Sequence, residues 1–321
     1  MSQRVLLTDR PWAEDSIERR ILDAAGIELV EAPAGDEATL SRMAADCQAI
    51  MTCWAKVTQA VLAAAPECRH VARLGIGLDN IDVAYATSRQ ILVTNVPDYC
   101  IEEVVDHALA LVLGLARNVA FHYLKTKQGV YDQRAGQPMR RISGQTLGLL
   151  GLGRTGQLLR EKALGLGLTV IAHSASGNNR GTGCEMVGLE ELFRRSDFLS
   201  LHAPLTAETR HVVNARSLAM MKPHAILVNT SRGPLIDHAA LWNALQADAI
   251  GGVGLDVFEP EPPNLADPIY SDARVIATPH IAFVSAESLI NLRERTAKQV
   301  VDVLQGRTPE NVINPQVLQG R

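Results

Sequence analysis

The sequence predicts an α/β fold of two doubly wound parallel-sheet domains with a cleft between them. Three observations carry that expectation. Short β-branched or leucine-rich runs alternate with helical stretches almost from end to end, a glycine-rich turn opens a second alternating series in mid-chain, and 321 residues suffice for two full-sized cores. With 47% hydrophobic and 21% charged residues, the composition is that of an ordinary globular chain.

In the first series, strands are expected at 5–8, 28–31, 49–51, 71–74 and 91–95, with helices between them at 15–25, 37–43, 58–65 and 82–88. A long helix then runs from near Ile101 to about Lys127, because Val104, Ala108, Leu111, Leu115 and Val119 make one wide apolar stripe. Its length suggests contact with more than one layer. The second series places strands near Val170, Phe198, Ile226, Val253 and Val275. A final helix at 285–305 is long enough to return to the first domain, and no repeat or low-complexity segment interrupts the pattern.

Residues 146–156 read Thr-Leu-Gly-Leu-Leu-Gly-Leu-Gly-Arg-Thr-Gly, an apolar strand running into a Gly151-x-Gly153-x-x-Gly156 turn and then a good helix former. Each glycine has a physical task. The first turns tightly, the second lets a phosphate approach the backbone, and the third lets helix and strand pack closely. A dinucleotide pyrophosphate would sit on the backbone N–H groups at the helix N-terminus, so a nicotinamide or flavin cofactor is expected. At the end of the next strand, where a carboxylate would bind the adenosine ribose, stands Ser174, and no acid follows before Glu185. The stretch Ser174-Ala-Ser-Gly-Asn-Asn-Arg180 offers hydroxyls, amides and a guanidinium. That favours NADP over NAD; the alternative for Arg180 is a solvated loop charge.

A net charge of −4 and the lack of a long basic run argue against nucleic acid as a partner. The five cysteines show neither CxxC nor zinc spacing and read as reduced, mostly buried thiols, with no metal site expected. The N-terminus enters a strand directly without the pattern of a signal peptide, and the most apolar helix, around 108–116, is too short to span a bilayer. A cytoplasmic enzyme with no membrane partner is the expectation.

Three short segments at late strand ends carry candidate chemistry. Val228-Asn-Thr-Ser-Arg232-Gly-Pro ends a strand in an arginine that can hold a planar carboxylate with two parallel hydrogen bonds; a surface arginine capping the following helix is the alternative. Gly254-Leu-Asp-Val-Phe-Glu-Pro-Glu261-Pro puts acids on a proline-stiffened loop, and Ala277-Thr-Pro-His280-Ile-Ala fixes a histidine after a proline. A lone histidine is more often structural than catalytic. An arginine, a glutamate and a histidine in three successive strand-end loops downstream of a dinucleotide turn are much less easily accidental.

At these residues the chain resembles the D-isomer-specific 2-hydroxyacid dehydrogenase family. The resemblance runs over essentially the whole chain: Gly151-Leu-Gly-Arg-Thr-Gly156, His202-Ala-Pro-Leu-Thr206, Asn229-Thr-Ser-Arg-Gly233, the Leu255-Asp-Val-Phe258 segment ending at Glu261-Pro262, and Thr278-Pro-His280 stand in the family's order and spacing. Within it, Asn95 to His107 looks most like the branch that includes C-terminal-binding-protein-type members. The resemblance implies a Rossmann NAD(P)-binding domain at 98–286, a flavodoxin-like substrate domain at 1–97 and 287–321, and a homodimer.

It also implies roles. Arg232, Glu261 and His280 would be the catalytic set for reversible reduction of a 2-oxo acid to its D-2-hydroxy acid, with Glu259 left as a solvated neighbour. Arg73, Gly75, Ile76 and Gly77 would bind the substrate carboxylate; a plain glycine-rich strand-to-helix turn is the alternative for that loop. Arg154 and Thr155 would touch the pyrophosphate, Ser174 the ribose, and Ala203, Pro204 and Thr209 the adenine side. Thr230 and Asp256 would lie near the nicotinamide, although Asp256 also reads as a buried acid capping a loop. Phe283 stands where the C-terminal-binding-protein type has tryptophan, so the substrate side chain is left open, with glyoxylate- or hydroxypyruvate-like acids expected. A phosphoglycerate-type dehydrogenase and a non-catalytic dinucleotide-sensing partner protein are the alternatives.

Overall fold

A computed structural model describes residues 3–320. The chain divides into one unit made of 1–99 with 285–321 and a second made of 100–284.

In the first unit, β1 (Gln3–Leu7), β2 (Ile27–Glu31), β3 (Ala49–Thr52), β4 (His70–Arg73) and β5 (Leu92–Thr94) form one sheet in the order β2-β1-β3-β4-β5, every neighbour parallel. This is the flavodoxin-like doubly wound order. Crossovers run through α1 (Ser16–Ala24), α2 (Glu37–Ala44), α3 (Gln59–Ala63) and α4 (Val83–Ser88). Three of these helices start where a side chain accepts an otherwise unpaired N–H of the first turn: Asp36 from Thr39, Thr58 from Val61 and Asp82 from Tyr85. Strands β3 to β5 are buried along their whole length, as parallel strands covered on both faces must be.

The second unit opens with α5 (Ile101–Ala116) and α6 (Val119–Lys127). The single long helix expected there breaks, and the two halves meet at 66°. The cause is Asn118, which takes a left-handed φ of +51° and anchors its side-chain amide on the Gln137 carbonyl at 2.7 Å. Asparagine tolerates that conformation better than other non-glycine residues, and an apolar stripe cannot reveal it. Then follow β6 (Thr146–Leu150), α7 (Arg154–Gly165), β7 (Thr169–His173), β8 (Glu185–Met186), α8 (Leu189–Arg195), β9 (Phe198–Leu201), α9 (Ala215–Leu218), β10 (Ile226–Asn229), α10 (His238–Gln246), β11 (Gly252–Leu255) and β12 (Val275–Ala277). The sheet order is β12-β11-β10-β9-β6-β7-β8, again all parallel. Its switch point lies between β6 and β9, where such sheets bind ligands outside the carboxyl ends of their strands.

The chain returns to the first unit through α11 (Ala286–Leu304), opened by a Ser285/Ser288 capping box. It packs on α1, where the buried Glu18 takes two hydrogen bonds from Arg293 at 2.6 and 2.8 Å. Each sheet is sandwiched between two apolar clusters, one per face. All five cysteines are buried and free. Burial pushes four of these thiols up, Cys184 among them, Cys47 to about 11 and Cys53 and Cys68 to about 12, so these four are not ready nucleophiles. Among the described residues, no single helix is long and apolar enough to cross a membrane, and no cluster of His, Cys, Asp or Glu could hold a metal.

Candidate functional site: a dinucleotide turn and three strand-end loops

The glycine turn after β6 has the geometry its sequence requires. Gly151 has φ +105°, and a Cβ there would lie 2.6 Å from the His202 carbonyl oxygen; at Gly156 it would lie 2.3 Å from the oxygen of Gly151. Both positions exclude a side chain. A Cβ on Gly153, by contrast, would meet nothing within 4 Å. The first and third glycines thus serve packing, while the second borders open space at the start of α7, whose first-turn N–H groups have no intrahelical acceptor. Thr155 is half-buried and Arg154 exposed in that turn. Where a nicotinamide dinucleotide is concerned, this cradle fits its pyrophosphate.

Around the turn, Ser174 is half-buried at the end of β7, 3.3 Å from the Ser176 hydroxyl. Side chains of Asn178 and Asn179 tie down the following amides, and Arg180 takes φ +53° in an exposed position. The buried Ala203 accepts the Ser231 hydroxyl, and the Pro204 carbonyl accepts that of Thr209 at 2.7 Å. Burial lowers His202 to about 4, which keeps it neutral at physiological pH and removes it as a proton donor. Thr230 is buried, and its hydroxyl has no hydrogen-bond partner among the described residues. A buried orphan of this kind at the carboxyl end of β10 is what a bound ligand would satisfy.

The Arg, Glu and His candidates follow β10, β11 and β12, three adjacent strands. His280 and Glu261 form a pair, Nδ1 to Oε1 at 2.5 Å, with both side chains partly exposed. A carboxylate only accepts hydrogen bonds, so Nδ1 carries the proton in this contact and Nε2 is the nitrogen that can exchange one with a ligand. The Phe283 ring meets the imidazole edge to face at 6.0 Å. His280 adopts φ +52°, a left-handed conformation unusual for a non-glycine residue.

Arg232 donates from Nη1 to the Ser231 carbonyl at 2.7 Å. Its turn is braced by Asn229, fully buried at the end of β10, whose amide donates to the Arg232 carbonyl and whose oxygen accepts the Ser231 N–H. Next in sequence, a Cβ on Gly233 would sit 1.9 Å from the Phe258 carbonyl oxygen. The Arg232 turn therefore lies backbone against backbone on the loop leading to Glu261, and only glycine permits the approach.

Glu259 is not the solvated neighbour expected. It pairs with Arg210 at 2.5 Å and His211 at 3.1 Å. Burial raises its pKa, but the hydrogen bonds from these two residues outweigh that and hold it below the usual glutamate range. It anchors the loop while Glu261 meets the histidine. Asp256 lies fully buried beneath the His280 loop, accepting from the Ile281 and Ala282 amides at 2.9 Å each and from the Thr278 hydroxyl at 2.6 Å. Both carboxylate oxygens are engaged with the loop, as its reading as a buried capping acid anticipates.

In the first unit, Arg73 turns beneath its own loop, donating to the carbonyls of Thr52, Leu74 and Gly77 at 3.3, 2.5 and 2.8 Å. A Cβ on Gly75 would meet the Arg73 guanidinium at 2.9 Å, so glycine and arginine require one another. Among the described residues, the amides of Gly75, Ile76 and Gly77 donate to no backbone carbonyl. Sequence reasoning quoted Asn229 and His107 within longer segments but gave neither a role, and it passed over Asp9. Asp9 takes the Cys53 and Trp54 amides at 3.0 and 2.7 Å and so shapes the loop after β3. Asp9 stands in none of the quoted motifs.

The D-isomer specific 2-hydroxyacid dehydrogenase NAD-binding domain matches residues 109–282. A glyoxylate reductase of Korarchaeum cryptofilum is 38% identical over 299 residues, covering 91% of this chain and 90% of its own. Among solved structures, an NADPH-dependent glyoxylate/hydroxypyruvate reductase of Sinorhizobium meliloti superposes with a TM-score of 0.86 at 29% identity over 98% of this chain and 99% of its own. A D-lactate dehydrogenase of Aquifex aeolicus, complexed with NAD and lactic acid, gives 0.86 at 28% identity over 99% and 98%. The chain belongs to the D-isomer-specific 2-hydroxyacid dehydrogenase family. It is an NAD(P)-binding oxidoreductase of 2-oxo and 2-hydroxy acids.

Proposed function

We propose that the protein reduces a small 2-oxo acid of the glyoxylate or hydroxypyruvate class to its D-2-hydroxy acid, reversibly, with His280 as proton donor, Glu261 as its partner and Arg232 as carboxylate clamp. The observation that carries this reading is the His280–Glu261 pair at 2.5 Å, on loops adjacent to the Arg232 turn and in the same unit as the dinucleotide cradle.

A nicotinamide dinucleotide held at the Gly151–Gly156 turn would supply the hydride for C2 of the oxo acid. The remaining work is the protein's. Glu261 holds Nδ1–H of the imidazole, so a proton on Nε2 is aimed outward and its transfer to the developing alkoxide leaves a neutral ring that the carboxylate still orients. Arg232 binds the carboxylate as a planar fork, which fixes the carbonyl in one rotational setting before reaction. The amides of Gly75, Ile76 and Gly77, on a loop that Arg73 organises, are donors of the kind a substrate carboxylate takes. The buried Thr230 hydroxyl would be satisfied by the cofactor when bound. Ser174 and the 175–180 loop, with hydroxyls, amides and Arg180 where a carboxylate would repel phosphate, favour NADPH over NADH. Val119, Tyr123 and Leu124 stand out from α6 with 58–60% of their surface exposed, which favours this helix as the face of a homodimer.

The test is oxidation of NADPH and NADH in parallel, followed by absorbance, with purified protein and glyoxylate, hydroxypyruvate, pyruvate or bulkier 2-oxo acids. Turnover that is fastest with the two- and three-carbon acids is the expected result. Tight dinucleotide binding with no turnover of any oxo acid overturns the reading.

A further inference from the structure

We propose that His107, Thr278 and Asp256 form a hydrogen-bonded relay that positions His280, with His107, remote in sequence, as the residue that closes it. The inference rests on the reading of His280 as proton donor and gives His107 and Thr278 a positioning role that the sequence did not assign them.

The direction of the relay follows from donor chemistry. Asp256 can only accept, so the Thr278 hydroxyl proton points at its Oδ1, 2.6 Å away; the other acceptor in range, the Leu255 carbonyl, is at 3.5 Å. The threonine oxygen is then left as an acceptor, and His107 Nε2 lies 2.9 Å from it. The sequence of donation is His107 Nε2–H to Thr278 Oγ1–H to Asp256. Beyond His280, the same carboxylate takes the Ile281 amide on Oδ1 and the Ala282 amide on Oδ2. The His280 amide itself donates to the Thr278 carbonyl at 2.9 Å. Hydrogen bonds therefore grip the backbone on both sides of the one residue in this loop with a left-handed φ.

A non-glycine residue holds such a conformation only where its surroundings over-determine it. Asp256 is fully buried and His107 only one-fifth exposed, so water competes poorly for these bonds. His107 rides on α5, which packs directly against β11 at Gly254, where a Cβ would lie 2.9 Å from that of Leu111. The relay thus refers the His280 loop to a rigid helix rather than to another loop.

The test uses the full-length protein. His107→Leu removes the donor at the end farthest from the reacting atoms, and His107→Gln offers a replacement N–H. In the leucine variant kcat should fall about tenfold with little change in KM or in dinucleotide affinity, because a small misplacement of an acid slows chemistry without weakening binding. The His280 ring resonances in a histidine-detected NMR spectrum should shift or broaden, and glutamine should recover both readouts. An unmoved His280 resonance in His107→Leu overturns the inference whatever the turnover does. So does a loss that glutamine fails to relieve, which would mark mere packing. If the leucine variant does not fold, Thr278→Val cuts the same relay from the loop side. If the parent protein reduces no 2-oxo acid, the functional reading falls, while the His280 resonance still decides the positioning role.

Discussion

The two halves of the candidate site in the second unit are built of different material. The turn after β6 is made of backbone: its three glycines are dictated by atoms 2.3 and 2.6 Å away or by the open space that a phosphate needs. The loop after β12 is made of side chains: its shape depends on Asp256 underneath, Thr278 beside it and Glu261 across from it. A backbone site tolerates almost any sequence except at its glycines. A side-chain site can be dismantled from a distance, through residues that never reach the ligand.

That contrast is broken most sharply at His280. His280→Ala should lower kcat by a factor of about 10² or more, the usual contribution of a positioned acid, while dinucleotide affinity stays near that of the parent. Stopped-turnover assays beside a binding titration check both at once, and unchanged turnover would remove His280 as the acid. Gly151→Ala should do the reverse. Its φ of +105° alone would cost an alanine about 1–3 kcal/mol, before the clash with His202. The expected result is a lower melting temperature and weakened dinucleotide binding. Full affinity in this variant would mean that the turn is not the cradle.

The same division explains what could be read from the sequence. The parallel alternation, the glycine turn and the Arg, Glu and His loops were legible because each depends on local pattern or on residue types that one task demands. The break at Asn118 was not, since an apolar stripe continues through it and only the tertiary contact with Gln137 shows why the helix stops. Glu259 and Glu261 are alike in sequence, two acids each followed by proline; the resemblance singled out Glu261, but the pairing of Glu259 with Arg210 and His211 was not legible. Arg73 was legible as a charged residue by a glycine loop, but its burial under that loop was not. His107 sits 171 residues from Thr278, and no spacing rule connects them.

Thr230 tests the reading of the cofactor site by a smaller and opposite pair of effects. Its hydroxyl is buried without a partner, so Thr230→Val should leave the cofactor-free protein as stable or raise its stability by about 1 kcal/mol, since an unsatisfied polar group is replaced by a methyl of similar shape. The dinucleotide should bind more weakly to the same variant. Melting curves with and without cofactor separate the two signs. A variant that loses stability in the cofactor-free state would show that the hydroxyl is satisfied by the protein or by water and has no need of the cofactor.

The smallest effect concerns the choice between NADP and NAD. The position that decides it in this kind of sheet is the end of β7, and there Ser174 brings no charge. Ser174→Asp introduces a carboxylate that can take the ribose hydroxyls of NAD and repel a 2′-phosphate. Two unit charges about 4 Å apart in water-like surroundings interact by about 1 kcal/mol, so the ratio of kcat/KM for NADPH over NADH should fall by somewhat less than tenfold. Because the position is only half-buried, added salt should shrink the shift. Arg180→Ala provides the control. If Ser174→Asp leaves the ratio unmoved while Arg180→Ala lowers it, discrimination rests with the cation of the 175–180 loop, and the strand end merely sets where that loop begins.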